Sequence, residues 1–247
     1  MTFEELIKGK NVAIVGPAKY LTNSEYGTEI DSHDIVVRIN RGIELTDKYS
    51  NDIGTRTEVL YSCLIEKPEN AGTIDPLFLK EEKKVQIVVA PPKSTFNGYA
   101  SNTELHELVN RDKVKILKKH LSLRIVDHQF NNILAEKVKC RPNTGFIAIY
   151  DLLRYEPSSL SIYGFSFYLD GFLEGCKFGI EKDKKITEQQ FSDKCYKSKR
   201  HIQKNMWEYA KKTLVNKKSI NLDSTLEKIL LLKNFSKEEY NKDVEKR

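Results

Sequence analysis

Residues 11–16 read NVAIVG, four consecutive apolar residues closed by a glycine. An unbroken apolar run of this kind is typical of a strand buried on both faces of a parallel sheet, because neither face is polar. Comparable runs stand at 34–39 (DIVVRI), 57–61 (TEVLY), 85–90 (VQIVVA) and 160–163 (LSIY). Residues 11–16 therefore predict the first strand of a buried sheet that the other runs extend.

Helical patterns separate these predicted strands. Residues 130–139 place Phe130, Ile133, Leu134 and Val138 on one helical face. The alternation of strands and helices predicts an α/β fold with one open, mostly parallel sheet and helices on both faces. The other predicted helices are 74–82, 102–110, 145–155, 199–213 and 222–234, and two shorter predicted strands are 114–117 and 122–126.

The length of 247 residues suits a single domain. We assign residues 1–236 to that domain and 237–247 to a charged C-terminal tail, predicted as a frayed surface helix. No apolar run is long enough to span a membrane, and the N-terminal MTFEELIKGK has acidic residues where a signal peptide has basic ones. The four cysteines include no CxxC pair, which favours reduced thiols over a disulfide framework or a zinc site. We therefore expect a cytoplasmic protein.

Positive charge is concentrated in one part of the chain. The net charge is +6, but residues 177–218 alone carry 13 lysines and arginines against 5 acidic residues, a local charge of +8. The rest of the chain therefore has a net charge of −2. Such a local field attracts anions, whereas a solvated lysine-rich surface explains the same charge without a ligand. On charge alone, the second explanation is the more economical.

Three predicted strands end in residues that suit a ligand site. Open α/β sheets bind ligands at the carboxyl ends of their strands, and Gly16, Asn40 and Gly164 stand at three such ends. A polar turn, Asn143–Gly145, begins a predicted helix whose first N–H groups favour an anion. Each has a structural alternative: a glycine in a tight turn, an asparagine in a left-handed turn, or an asparagine that caps a helix. Because the strand tips share one edge of the sheet, we expect them to converge.

His201 is a candidate proton acceptor within the basic segment, because the pKa of histidine suits proton transfer near neutral pH. A single histidine on a lysine-rich helix is more often a surface residue. His33 is better explained as a turn residue. The sequence contains no HExxH, no DxD and no cluster of histidine and cysteine, so no metal site is predicted.

These pieces together resemble the sialylmotifs of the eukaryotic-type sialyltransferase family. The family's large motif has a strand ending VGNS, then YG..ID.HD.V.R.N and D.G..T, and residues 15–18 (VGPA), 26–40 and 52–57 follow that order. The small motif has PSTG before an apolar helix and a strand ending YGFG. Residues 142–145 (PNTG) and 163–166 (YGFS) correspond to it.

The resemblance spans about residues 11–214, and His201 with Glu208 is the candidate for the family's final His…Glu motif. It implies a Rossmann-like, variant GT-A domain and an inverting, metal-independent transfer from CMP-sialic acid or CMP-Kdo. The nucleotide sugar is then a co-substrate, and no cofactor is expected. His201 would be the general base, and the donor-binding residues would be Gly16, Pro17, Ala18, Asn40, Asn143, Thr144, Gly145, Gly164 and Phe165.

The chain also departs from the family pattern. Pro17 stands where the large motif has Asn, and proline has neither an amide side chain nor an N–H group. Val12 replaces one cysteine of the family's disulfide, and His201 and Glu208 lie farther apart than in the family. We expect a bacterial, viral or phage enzyme with an anionic acceptor, an acidic glycan or DNA. Two alternatives stay open: a UDP-sugar transferase acting on modified bases of phage DNA, and a nucleotide-binding module without catalysis.

Overall fold

The computed structural model describes residues 2–67, 70–72, 74–93, 109–176, 179–181 and 184–244. Within these ranges the strands are β1 (Asn11–Val15), β2 (Ile35–Ile39), β3 (Val59–Tyr61), β4 (Ile87–Ala90), β5 (Ser122–Ile125), β6 (Ser159–Tyr163), β7 (Gly179–Glu181), β8 (Lys184–Ile186) and β9 (Ile220–Leu222). The α-helices are α1 (Phe3–Ile7), α2 (Gly27–Asp31), α3 (Ser50–Ile53), α4 (Arg111–Leu117), α5 (His128–Val138), α6 (Thr144–Leu153), α7 (Glu188–Tyr196), α8 (Gln203–Leu214), α9 (Ser224–Leu231) and α10 (Lys237–Asp243). Short 3-10 helices cover Lys19–Leu21 and Asn40–Leu45, and a π-helix covers Phe78–Glu82.

Seven strands form one parallel sheet in the order β5-β4-β3-β2-β1-β6-β9. The chain builds outward from β1 to β5 and then returns to β6 on the other side of β1. The crevice between the carboxyl ends of β1 and β6 is therefore the topological switch point, where open α/β sheets bind ligands. The remaining strands, β7 and β8, form a separate antiparallel pair.

Successive residues of β1 pack on opposite faces of the sheet. Val12 and Ile14 join a core with α5, α6, α8 and α9, whereas Ala13 and Val15 join another with α2 and α3. These four side chains are buried, whereas Asn11 at the start of β1 is exposed. The predicted open parallel sheet with helices on both faces is confirmed, and burial on both faces explains why the run lacks polar alternation.

Some local predictions differ from the structure. Residues 114–117, predicted as a strand, form the second half of α4, which begins where the Asn110 side chain accepts from the Lys113 N–H. A four-residue apolar run cannot distinguish strand from helix, and the cap decides here. The strand β9 was not predicted, and β6 is its one partner among the described strands. The predicted helix 102–110 lies outside the described residues, apart from its last two positions.

Residues 237–244, the described part of the C-terminal segment, pack onto the domain rather than fraying. Tyr240 on α10 and Val244 just after it are buried in the core that includes α8 and α9. Their spacing of four residues places them on one helical face. Lys237 also pairs with Asp193 on α7. Two apolar anchors in a charged segment were enough to dock it.

Candidate active site

A cavity of about 630 Å³ opens at the carboxyl edge of the sheet. The tips of β1, β2 and β6 and the amino end of α6 meet at its wall, as the strand-tip prediction requires. Gly16 supports this wall from behind through its contact with Gly164. The predicted site residues on the wall are Pro17, Ala18, Asn40, Asn143, Thr144, Gly145, Gly164, Phe165 and His201.

The tips of β1 and β6 approach so closely that only glycine fits on either side. A Cβ on Gly16 would lie 2.3 Å from the Gly164 carbonyl oxygen, and a Cβ on Gly164 would lie 2.4 Å from the Gly16 carbonyl oxygen. Gly164 also has a φ of +75°, in the left-handed region. The Gly16 N–H continues the strand pairing by donating to the Tyr163 carbonyl (2.7 Å). These glycines are therefore required by backbone packing at the switch point.

The Phe165 ring fills the notch between the β1 tip and α6. A Cβ on Gly145 would lie 2.8 Å from Cε1 of Phe165, and a Cβ on Gly16 would lie 3.1 Å from its Cε2. The ring therefore sets the spacing of two elements that border the cavity. Glycine at the second position of α6 allows this contact.

The amino end of α6 points its first turn at the cavity. Asn143 caps the helix, because its Oδ1 accepts from the Phe146 N–H (2.9 Å). The first i→i−4 bond is the one from the Ile147 N–H to the Asn143 carbonyl (3.0 Å), and the N–H groups of Thr144 and Gly145 precede it. The capping role of Asn143 is thus real, and the N–H groups and helix dipole at this end favour an anion.

Asn40 leaves β2 in a left-handed conformation, with a φ of +47°. It is nearly buried, and its Oδ1 accepts from the Cys63 N–H (2.9 Å). Its amide is thereby fixed at the cavity wall. Pro17 has no N–H group, and its carbonyl accepts from the Leu173 N–H (2.9 Å). This residue can therefore contact a ligand through its ring but cannot donate a hydrogen bond to it.

His201 is held in one tautomer. Its Nδ1–H donates to the Arg141 carbonyl (2.7 Å), and the Arg141 N–H donates to the Arg200 carbonyl (3.1 Å). Because a carbonyl can only accept, the proton of the neutral ring lies on Nδ1, and Nε2 is the basic nitrogen. The residue starts the turn before α8 rather than lying on the helix itself, and it is half-buried on the cavity wall.

The cavity wall is cationic. Lys67, Lys93, Arg141 and Arg200 lie on it, and the described residues of the wall include no aspartate or glutamate. Among the described residues of the basic segment 177–218, only Arg200 contributes a lysine or arginine to the wall. Three of the four lysines and arginines on the described wall therefore come from other parts of the chain. Lys93 could have been found by extending the strand-tip rule to β4, since it follows that strand and Pro91–Pro92.

Most polar residues of the large motif hold turns rather than line the cavity. The Arg38 guanidinium is buried and donates to the carbonyls of Ile53 (2.7 Å) and Arg56 (3.0 Å). Burial lowers the pKa of Arg38 to about 10. His33 bonds the Ser161 hydroxyl (2.9 Å) at the amino edge of the sheet, away from the cavity. Asp31 accepts from the Thr55 and Arg56 N–H groups, and Asp52 accepts from those of Asn23 and Glu25.

Three further observations concern the described part of the chain. No group of three or more histidine, cysteine, aspartate or glutamate side chains is arranged there to hold a metal ion, and metal independence stays a prediction. None of its helices has both the length and the apolar character needed to cross a membrane. All four cysteines lie in it, and none forms a disulfide.

Two curated proteins are similar in sequence. A CMP-N-acetylneuraminate-beta-galactosamide-alpha-2,3-sialyltransferase 1 of Gallus gallus is 28% identical over 159 residues, 63% of this chain and 44% of that protein. The protein of the same name from Mus musculus is 27% identical over 176 residues, 67% of this chain and 47% of that protein. The chain thus spans about half the length of these relatives.

Solved sialyltransferase structures also align with the chain. A mammalian sialyltransferase in complex with Gal-beta-1-3GalNAc-ortho-nitrophenol aligns with a TM-score of 0.43 and 19% identity, over 78% of this chain and 66% of that one. The sialyltransferase CstII from Campylobacter jejuni, in complex with the substrate analogue CMP-3FNeuAc, aligns with a TM-score of 0.42 and 16% identity, over 64% and 63%.

The family model of glycosyltransferase family 29 (sialyltransferase) matches residues 7–170. This range holds both motifs, β1 to β6 and the predicted donor-binding residues, and it ends before His201. The match covers well over half of the chain, and the chain belongs to glycosyltransferase family 29.

Proposed function

We propose that the chain is an inverting glycosyltransferase that moves a sugar from a CMP-activated donor, of the sialic acid or Kdo type, to an acceptor hydroxyl without a metal ion. Family membership supports the reaction class. The observation that carries the proposal is the convergence of three strand tips, the amino end of α6 and His201 on one cationic cavity. The activity and both substrates are part of the proposal.

The donor phosphate would lie at the amino end of α6. Its charge would be balanced by the Thr144 and Gly145 N–H groups, the helix dipole and the cationic wall, so no divalent ion is needed. Asn40, on the neighbouring tip, would bind the ribose or phosphate. Gly164 and Phe165 would contribute surface rather than donors, because their N–H groups are bonded to Asp223 and Tyr20.

His201 would act as the general base. Nε2 takes the proton of the acceptor hydroxyl as the hydroxyl oxygen attacks the anomeric carbon of the donor sugar. The new carbon–oxygen bond forms opposite the breaking bond to the phosphate, which inverts the anomeric centre and releases CMP. The bond from Nδ1–H to the Arg141 carbonyl stabilises the imidazolium, and the α6 end stabilises the leaving phosphate.

The acceptor would be anionic. A CMP-sialic acid or CMP-Kdo donor carries a phosphate and a carboxylate, and four lysine and arginine side chains lie on the described wall. The remaining positive charge would favour an acidic acceptor. At saturating donor, transfer to an acidic glycan should then lose rate with added salt and in Arg200→Gln, whereas transfer to a neutral glycan should change little. Equal responses of the two acceptors would contradict an anionic acceptor.

Calorimetric titration with CMP, UDP and GDP tests the donor class. We expect CMP to bind at least about tenfold more tightly than the other two, a difference of about 1.4 kcal/mol. Preference for UDP would support the UDP-sugar alternative. Tight CMP binding without transfer from CMP-sialic acid or CMP-Kdo to acidic or neutral glycans would support the non-catalytic module.

A further inference from the structure

A half-buried tyrosine, Tyr20, and a buried aspartate, Asp223, hold the β6 tip from behind the cavity. The Tyr20 hydroxyl donates to Oδ2 of Asp223 (2.8 Å) and accepts from the Phe165 N–H (3.0 Å). The same Oδ2 accepts from the Gly164 N–H (2.9 Å). Two consecutive N–H groups of the tip are thus bound by side chains from distant parts of the chain, and neither side chain belongs to the described cavity wall.

The two carboxylate oxygens of Asp223 have different roles: Oδ1 caps a helix, and Oδ2 binds Tyr20 and the β6 tip. Oδ1 caps α9 by accepting from the N–H groups of Thr225 (3.0 Å) and Leu226 (2.7 Å), so the helix does not need Oδ2. Asp223 is 4% exposed, and its four donors in the described structure are backbone N–H groups and one hydroxyl. Burial raises the pKa of Asp223 despite these bonds. Burying this carboxyl group is costly, and the oxygen that does not cap α9, Oδ2, holds the tip through Tyr20 and the Gly164 N–H.

The anchored peptide determines where the Phe165 ring lies. That ring separates Gly16 on the β1 tip from Gly145 on the first turn of α6. Movement of the Gly164–Phe165 peptide would therefore change the spacing between two sides of the cavity.

We infer that Tyr20 and Asp223 are positioning residues for the nucleotide donor. They hold the two peptide groups on either side of Gly164, and thereby the Phe165 ring, without touching the ligand. The inference rests on the proposed function, because it takes this cavity as the donor site.

Tyr20→Phe tests the inference, with Tyr61→Phe as its matched control. The Tyr61 hydroxyl also donates to a buried aspartate, Asp151 (2.7 Å), but Tyr61 is not part of the described cavity wall. Two quantities are measured: CMP binding by calorimetry, and hydrogen exchange of the Phe165 amide without ligand.

We expect Tyr20→Phe to weaken CMP binding by about three- to tenfold and to accelerate exchange of the Phe165 amide by about tenfold, because that amide loses its acceptor. Tyr61→Phe should leave both quantities within about twofold of the wild type, although it also loses a buried hydrogen bond. If Tyr20→Phe does not fold, Asp223→Asn replaces it, because asparagine keeps the helix cap and turns an NH2 group toward the Gly164 N–H.

Equal changes in the two tyrosine variants, or an unchanged Phe165 exchange rate in Tyr20→Phe, would overturn the inference. Wild-type protein that binds no CMP would instead contradict the proposed function. In that case the exchange rate of the Phe165 amide alone would show whether Tyr20 and Asp223 hold the β6 tip.

Discussion

In the described part of this fold, two buried aspartates each accept a hydrogen bond from a tyrosine hydroxyl, and the negative charge of each aspartate is balanced differently. Asp151 accepts from Tyr61 and also binds the Arg124 guanidinium through two bonds of 2.6 and 2.9 Å. Asp223 accepts from Tyr20 and from backbone N–H groups. The first pair joins β3, β5 and α6 within the core, and the second ends at the cavity. We expect the Asp151 pair, balanced by Arg124, to contribute to folding stability only. The Asp223 pair, balanced by N–H and O–H dipoles, should contribute to stability and also fix the shape of the cavity.

The largest expected loss of stability follows from Asp151→Ala. The change leaves the Arg124 guanidinium, whose side chain is 16% exposed, without its carboxylate. We expect a loss of about 3–5 kcal/mol in the free energy of unfolding, measured with urea. CMP binding by the folded fraction should be unchanged.

Asp47→Ala is the control for Asp151→Ala, because Asp47 pairs with Lys83 (2.7 Å) but its side chain is 82% exposed. Its removal should cost less than about 1 kcal/mol. A comparable cost in both variants, or loss of CMP binding in folded Asp151→Ala, would break the proposed separation of the two pairs.

Gly164→Ala should be next in size and should affect the cavity as well. The left-handed φ alone costs alanine about 1–2 kcal/mol, and the new Cβ would lie 2.5 Å from Cδ1 of Leu21 as well as against Gly16. The backbone shift that relieves these contacts should lower the free energy of unfolding by about a further 1–3 kcal/mol. It should also weaken CMP binding.

Gly9→Ala is the matched control for Gly164→Ala, since Gly9 has a φ of +69° with nothing within 4 Å of its added Cβ. It should show only the conformational cost, without an effect on CMP binding. Equal urea midpoints for the two variants would show that the close approach of Gly16 and Gly164 does not exclude a side chain.

Asp223→Asn should have the smallest effect on stability and should change its pH dependence. At neutral pH the NH2 group of the asparagine would face the Gly164 N–H, and this should lower the free energy of unfolding by about 1–3 kcal/mol. The raised pKa of Asp223 means that the native state binds more protons than the unfolded state between the ordinary value of 3.8 and the raised value. This carboxyl group therefore stabilises the wild type most below pH 3.8, and its contribution is lost as pH rises through the native pKa.

The free energy of unfolding of both proteins, measured from pH 4 upward, checks this prediction. The advantage of the wild type over Asp223→Asn should shrink as pH rises through that window. A constant or growing advantage would mean that Asp223 is not a destabilised buried carboxyl group.

Much of the sheet could be predicted from local sequence, because burial on both faces removes polar residues from the strands. The run at 11–16 is the clearest case. The local sequence pattern is weaker where an element is short and packs on few neighbours. Among the described strands β9 pairs with β6 only, and the apolar segment 114–117 proved helical. There the deciding contacts are tertiary and leave little local pattern.

The site could be predicted where topology alone decides it. Parallel strands end at the same edge of a sheet. Recognising the sheet was therefore enough to predict that Gly16, Asn40 and Gly164 lie near one another. Tyr20 and Asp223 could not be found this way, since they lie far apart in sequence and Asp223 follows β9, a strand that was not predicted. The charge distribution was also misleading, because Arg200 is the one basic residue of 177–218 that the described wall includes.

The rate of sugar transfer by His201→Ala is the most direct test of the central claim that this cavity is a catalytic donor site. We predict that kcat for transfer from a CMP-sugar falls by about 10²- to 10⁴-fold, because the base is lost. CMP affinity should stay within about threefold, since the α6 end and Asn40 are intact. Unchanged turnover in folded His201→Ala would contradict the account.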